Sequence, residues 1–328
     1  MFAGTLLALA AGLMWGLVFI APLWLPDYPA LLLSAGRYLA FGLLALPLAW
    51  LDRERLARLT RADWLEALKL SAVGNLLYYG FLASAIQRAG APLPTMIIGT
   101  LPVVIAVCSN WRDAQRDGRL PWLRMLPSLG LIGSGIALVN HAELQHLRAE
   151  AAVPLATYAL GALLAVGAVA CWTWYPLRNA DWLRAHGGRN AGMAGAWATA
   201  QGLATLPLAA LAYAGFWAVG GGAGFTLTSP GIGLPLGPRP LEFALAMLTL
   251  GLLASWLGTL CWNGASQRLP TSLVGQLIVF ETLSALAYAF ALRGQFPAPE
   301  TWAGIALLVA GVMWALRVRP QPLAAHAA

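Results

Sequence analysis

Apolar residues in this chain fall in blocks about 20 residues long, the length that carries an α-helix across a ~30 Å hydrocarbon core. The blocks lie near 3–22, 29–50, 67–87, 92–111 and 122–140, then 154–178, 191–216, 241–266, 271–291 and 301–317. Short connectors between them hold nearly all of the charge. The pattern predicts an all-α integral membrane protein of ten transmembrane helices. The first block has no basic flank before it and no Ala-x-Ala-like site after it, so it reads as a helix and not as a cleaved signal. Gly220–Pro240, rich in Gly and Pro, reads as an extracellular connector that moves.

Composition names the solvent. Hydrophobic residues make up 59% of the chain and charged residues 10%, whereas a soluble domain carries about 25% charged residues. The net charge of +7 would suit a nucleic-acid partner, but the basic residues sit in connectors and form no stripe beside exposed rings, so nucleic acid is excluded. They act as topology signals instead. Arg53, Arg55, Arg58, Arg61 and Lys69 share one connector, and Arg112, Arg116, Arg119 and Arg124 share another. Alternate connectors collect fifteen basic residues on one side, including Arg178, Arg184, Arg189, Arg268, Arg317 and Arg319. The other side has four: Arg88, Arg148, Arg239 and Arg293. The expected location is a cytoplasmic (inner) membrane, with both termini cytoplasmic. Trp24, Trp50, Trp64, Trp111, Trp122, Trp182, Trp217, Trp302 and Trp314 fall at block ends, where indole rings anchor in the headgroup layer. Cys108, Cys171 and Cys261 show no metal-ligand spacing and read as buried free thiols.

The two halves of the chain resemble each other. Residues 10–15, ending in Trp15, align with residues 167–172, ending in Trp172. Ser84-Ala85-Ile86-Gln87-Arg88 aligns with Gly264-Ala265-Ser266-Gln267-Arg268. Each half, 1–150 and 151–328, holds five crossings, an odd number, so the second half enters the membrane from the opposite side. Two inverted five-helix repeats suit alternating access, because similar halves can exchange conformations around one central site.

Trp15-Gly16, Arg37-Tyr38, Leu101-Pro102-Val103 and Phe280-Glu281-Thr282, followed by Gly294, Gly304 and Gly311-Val312, occur in an order that resembles the drug/metabolite transporter superfamily, specifically its EamA-like branch. The likeness covers essentially the whole chain. It departs from the family pattern at Glu281-Thr282, usually Glu-Pro, and at Gly294-Gln295, usually Gly-Glu. In size, helix plan and aromatic content the chain looks most like the bacterial aromatic amino acid exporters. That resemblance implies secondary or facilitative export of aromatic amino acids through a central cavity open alternately to either side. Other amino acids or purines are the alternative cargo.

Polar groups within the blocks are the candidates for touching cargo, since each is costly in lipid unless paired or facing water. Glu281 lies about ten residues, roughly 15 Å, into the ninth block, and could receive a substrate ammonium or a proton. Arg37 is the base well inside a block; it could meet a carboxylate, pair with Glu281, or snorkel outward. Asn75, Tyr78 and Tyr79 share one helical face, as do Trp256, Thr259 and Asn263, by i, i+3 and i+4 spacing. Such faces suggest cavity walls, with helix–helix packing as the competing reading. Trp15, Trp172 and Trp174 could stack on an aromatic cargo, and Gln276 beside Glu281 could complete the wall. Pro102 removes a helical hydrogen bond opposite Ile98 and could act as a hinge, as could Pro207.

No grouped acids and histidines, HExxH or GxSxG motif supports a membrane-embedded enzyme. His141, His146, His186 and His326 are expected in loops or the tail, so no catalytic residue is assigned. No P-loop is present, no filter-like signal points to a channel, and no metal or other cofactor is implied. The expected partners are a small-molecule substrate and the lipid bilayer. Several intramembrane bases would be needed for phosphorylated cargo, and Arg37 stands alone, which favours a neutral or zwitterionic one.

Overall fold

A computed structural model describes residues 2–89, 92–112, 121–148, 155–187, 192–218, 236–294, 296–315, 317–318 and 321. Among these the chain runs through ten helical rods. They are α1 (Phe2–Trp24), α2 (Ala30–Leu51), α3 (Arg61–Leu70, Ser71–Leu77 and Tyr78–Ala89), α4 (Pro92–Ile98 and Leu101–Arg112) and α5 (Trp122–Arg148), then α6 (Leu155–Gly187), α7 (Met193–Ala218), α8 (Pro240–Ser266), α9 (Thr271–Leu277 and Val279–Arg293) and α10 (Pro299–Ala315). Five of them, α1, α2, α6, α8 and α9, are long and apolar enough to cross a membrane. Most of the expected loop Gly220–Pro240 lies outside the described residues, as do Gln295, His326, Arg116, Arg119, Arg189 and Arg319.

Local chemistry sets the ends. Asp63 and Thr60 form a reciprocal capping box at the start of α3. Pro240 opens α8, where a missing N–H costs nothing. Gly294 closes α9 at φ 61°, a left-handed cap that a side chain would strain.

Two irregularities recur at matching places. α3 is π-helical over Ser71–Leu77 and α8 over Leu250–Leu257; the offset of 180 residues that aligns Ser84 with Gly264 carries one segment onto the other. Likewise α4 breaks between Ile98 and Leu101, just before Pro102, and α9 breaks at Ile278. Packing follows the same pattern. α2 runs along α7, α4 along α9 and α5 along α10, while α3 packs on α6 and α1 on α8. Exchanging each rod with the one five places on leaves the first three pairs unchanged and swaps the last two. A glycine makes each swapped contact possible. A Cβ on Gly74 of α3 would run into the Tyr175 side chain of α6, and a Cβ on Gly258 of α8 would come within 2.7 Å of Trp15 Nε1 on α1.

Several expectations need correction. α6 continues to Gly187, nine residues past the expected 178, because its charges find partners: Arg178 makes two 2.9 Å bonds to Glu66, and Asp181 lies 3.1 Å from Arg112. His186 is therefore helical and not in a loop, and His141 and His146 are helical as well because α5 runs to Arg148, past the expected 140. Trp24, Trp50, Trp111, Trp122, Trp302 and Trp314 are exposed, as headgroup anchors would be, but Trp182 is buried and stacked on Trp197 at 3.5 Å. All three cysteines are free, yet only Cys171 is buried.

Candidate functional site

The rods α1, α2, α3, α6, α8 and α9 converge on one interior cavity of about 10 Å³, room for about one water. Its wall includes Trp15, Arg37, Asn75, Tyr78, Trp172 and Glu281. It also includes Thr259, from the face expected on α8, together with Val18, Tyr38, Ala254 and Ser255, which the sequence reading did not assign to a site.

The π-helical segments shape this wall. An i→i+5 turn holds an extra residue and loosens the regular carbonyl ladder, and side chains from neighbouring rods use the freed oxygens. Trp15 Nε1 donates to the Ala254 carbonyl at 2.8 Å, and Ser34 Oγ donates to the Leu76 carbonyl at 3.0 Å. Each segment also carries one polar residue at the equivalent register: Asn75 Nδ2 donates to Thr205 Oγ1 on α7 at 3.1 Å, and Ser255 Oγ accepts from Arg37 Nε on α2 at 3.0 Å.

Arg37 is 4% exposed, and its guanidinium carbon lies 4.8 Å from the Tyr38 ring centroid and 4.7 Å from that of Tyr79. Tyr79 donates its hydroxyl to the Val18 carbonyl, so it backs Arg37 and does not line the cavity. Arg37 and Glu281 share the cavity without forming an ion pair. On the opposite wall the rings form a ladder. Trp172 stacks between Tyr78 (4.7 Å) and Tyr175 (5.0 Å), and Trp15 meets it edge-on at 5.0 Å. The faces of Trp172 are thus covered by protein rings, and its indole N–H edge is what remains.

Four wall atoms are buried without a hydrogen-bond partner: Arg37 Nη1, Tyr78 Oη, Trp172 Nε1 and Glu281 Oε2. Unpaired buried polar atoms are rare and each costs about 1–3 kcal/mol. Thr173, Trp256 and Trp262 also hold one each away from the cavity, as does Arg239 at Nε, whose other nitrogens pair with Asp27 and Glu242. The four present three donors and one acceptor on a single space, a set that complements a carboxylate together with an ammonium.

Other expected residues lie elsewhere. Trp174 and Trp256 are half-buried packing rings outside the cavity, and Gln276 faces Ser128 of α5 at 3.5 Å. Pro102 is buried just after the break in α4. Asn263 belongs to a separate buried network. Its side chain accepts from Asn179, whose own oxygen accepts from Trp197 and Gln201, and Gln201 accepts from Tyr175. This network leads to Trp182, which donates to Asp63 at 2.7 Å, beside the His186 ring at 3.4 Å. Burial works against ionising Asp63, but hydrogen bonds from the Thr60 hydroxyl, the Thr60 N–H and Trp182, with His186 nearby, outweigh it and hold the carboxyl below the usual range. A larger apolar groove of about 590 Å³, flanked by Phe290, Phe296 and Trp302, has no charged residue in its wall.

Comparison with known proteins adds to this geometry. The profile of the EamA-like transporter family matches residues 2–141. Inner membrane protein YtfF of Escherichia coli (strain K12) is 53% identical over 98% of this chain and 97% of its own length. An uncharacterized transporter of Synechocystis sp. (strain ATCC 27184 / PCC 6803 / Kazusa), sll0355, is 28% identical over 39% of this chain and 37% of its own. One solved crystal structure shares the fold, with a TM-score of 0.68 at 20% identity over 96% of each chain.

Proposed function

We propose that this chain, which belongs to the EamA-like transporter family of the drug/metabolite transporter superfamily and is a multi-pass inner-membrane transporter, exports small zwitterionic metabolites, aromatic amino acids first among them. The carrier consists of two inverted five-helix repeats, 1–150 and 151–328, crossing the membrane ten times with both termini cytoplasmic. Three features support the repeat: the π segments 180 residues apart, the matching breaks in α4 and α9, and the packing that maps onto itself. Similar halves around a shared cavity let the site open to either side at comparable energy. Transport is secondary or facilitative.

The observation that carries the cargo assignment is the set of four unpaired atoms on one small cavity walled by Trp15, Tyr78 and Trp172. A zwitterion placed there would give Glu281 an ammonium and Arg37 a carboxylate, each a charge-assisted bond stronger than a neutral one. An aromatic side chain would then displace part of the self-stacked ring ladder and restore its contacts. At about 10 Å³ the cavity holds no such cargo, so the rods must part to admit it. Other amino acids use the same two charges and are the alternative cargo; purines would use the rings and leave the charges unmatched.

The test is counterflow. Proteoliposomes preloaded with unlabelled tryptophan, phenylalanine, leucine or a sugar phosphate take up the labelled compound, with protein-free liposomes as background. Exchange of tryptophan and phenylalanine above the other two is expected. Exchange of the sugar phosphate alone would refute the cargo assignment.

A further inference from the structure

We infer that the cargo must carry a carboxylate, that Arg37 is the residue that reads it, and that Ser255 is a positioning residue which aims Arg37 at the cavity. The inference rests on the carrier reading above and narrows its cargo.

Three rods immobilise the Arg37 guanidinium. Its Nε donates to Ser255 Oγ of α8, and its carbon lies over the rings of Tyr38 on α2 and Tyr79 on α3. Two side-chain explanations fail on this geometry. Arg37 does not snorkel, being 4% exposed, and it does not neutralise Glu281, because both keep an unpaired buried atom. With Nε bonded to Ser255 and the ring contacts made, Nη1 is the buried nitrogen left without a partner on a residue that lines the cavity, a charged N–H donor for one carboxylate oxygen.

The two charges in the cavity are not equivalent. Glu281 can become neutral by taking up a proton; the ionisable groups sharing its cavity are Arg37 and Tyr38 on α2 and Tyr78 on α3, and the other polar wall residues, Trp15, Asn75, Trp172, Ser255 and Thr259, do not titrate. Arg37 cannot lose its charge in a protein. A cargo that lacks an ammonium therefore leaves a carboxyl that can be protonated, whereas a cargo that lacks a carboxylate leaves a permanent cation with only its Ser255 bond and ring contacts. The carboxylate is the obligatory part. The repeat reinforces this. At the register where Ser255 holds Arg37, the other half has Asn75 bonded to Thr205, so the site has one cationic reader and not two.

The test uses the full chain in proteoliposomes with three labelled probes: tryptophan, tryptamine, which lacks the carboxylate, and indole-3-propionate, which lacks the ammonium. Tryptophan should exchange faster than tryptamine by about tenfold or more, the worth of one lost charge-assisted bond, with indole-3-propionate between them. Arg37→Gln should abolish the discrimination. Ser255→Ala should raise the KM for tryptophan with little change in maximal rate and lower the tryptophan to tryptamine ratio, and Ser255→Thr should restore both, which a purely structural role would not do. If Arg37→Gln does not fold, the two Ser255 variants decide the matter. Tryptamine exchanging as fast as tryptophan would overturn the carboxylate requirement and leave the carrier reading intact. If no probe exchanges, the aromatic cargo proposed above falls, and the carboxylate requirement argued from it falls with it. An unchanged ratio in Ser255→Ala would overturn the positioning role.

Discussion

The central cavity and the Asn179 network are both polar regions buried among apolar rods, yet their hydrogen-bond accounts differ. In the network every side-chain nitrogen and oxygen of Tyr175, Asn179, Trp197, Gln201 and Asn263 has a partner. In the cavity Arg37, Tyr78, Trp172 and Glu281 each leave one atom unpaired. A satisfied network rigidifies and specifies packing, whereas unpaired groups are stored binding capacity that only a further molecule can use. Burial and polarity alone would have scored the two regions alike.

Substitution of the network's hub should produce the largest effect. Asn179→Leu leaves the Trp197 N–H, a Gln201 N–H and the Asn263 oxygen without partners at a fully buried site. A loss of about 3 kcal/mol or more is expected from three such orphans, read as a drop in the detergent-solubilised melting temperature.

Glu281→Gln sharpens the contrast from the other side. The near-isosteric amide removes no existing bond of Oε2, so stability should change by much less than in Asn179→Leu while zwitterion exchange falls by about tenfold or more. Trp172→Ala should lower exchange too, with a stability loss of about 3 kcal/mol because its ring is packed on three others. If Glu281→Gln destabilises as much as Asn179→Leu and leaves exchange intact, the distinction between the regions fails.

The smallest effect concerns the end of the network at Asp63. Its carboxyl is held below the ordinary range in the folded protein, so the stability this provides is present above the unfolded value of about 4 and is lost as pH falls through the lower folded value. The melting temperature of Asp63→Asn should lie below that of the native protein by a constant gap above about pH 5, and the gap should shrink below about pH 4. A gap independent of pH would show that the hydrogen bonds matter and the charge does not.

The wall residues differ in how legible they were in advance. Asn75 and Tyr78 follow from helical spacing on α3, and Trp15 and Trp172 from their repetition at matching places. On α8 the same rule failed: Trp256, Thr259 and Asn263 were expected on one face, but Trp256 lies within the π segment Leu250–Leu257. The wider turn moves Trp256 off that face, and Asn263, one turn beyond Thr259 in the regular helix, bonds to Asn179 and Ala194, which leaves Thr259 alone of the three in the cavity wall. Ser255 drew no notice because serine is unremarkable in an apolar block. The 180-residue offset from Asn75 is the signal that would have found it. Asn179 was missed for another reason, since Arg178, Asp181 and Arg184 resemble a connector until Glu66 and Arg112 pair with the first two.

What the sequence determined by itself is the solvent and the rods: continuous apolar blocks leave no alternative to helices that satisfy their own backbone in lipid, although charge did not mark where α6 stops. Only the tertiary structure decided which polar groups are paired. Pairing depends on register, and register here hangs on two π turns and on rods from opposite halves meeting across Gly74 and Gly258. Contacts separated by more than 200 residues, such as Arg37 to Ser255 and Trp15 to Ala254, have no local signature, so the difference between a satisfied polar brace and a cavity with unpaired groups appears only when the chain is folded.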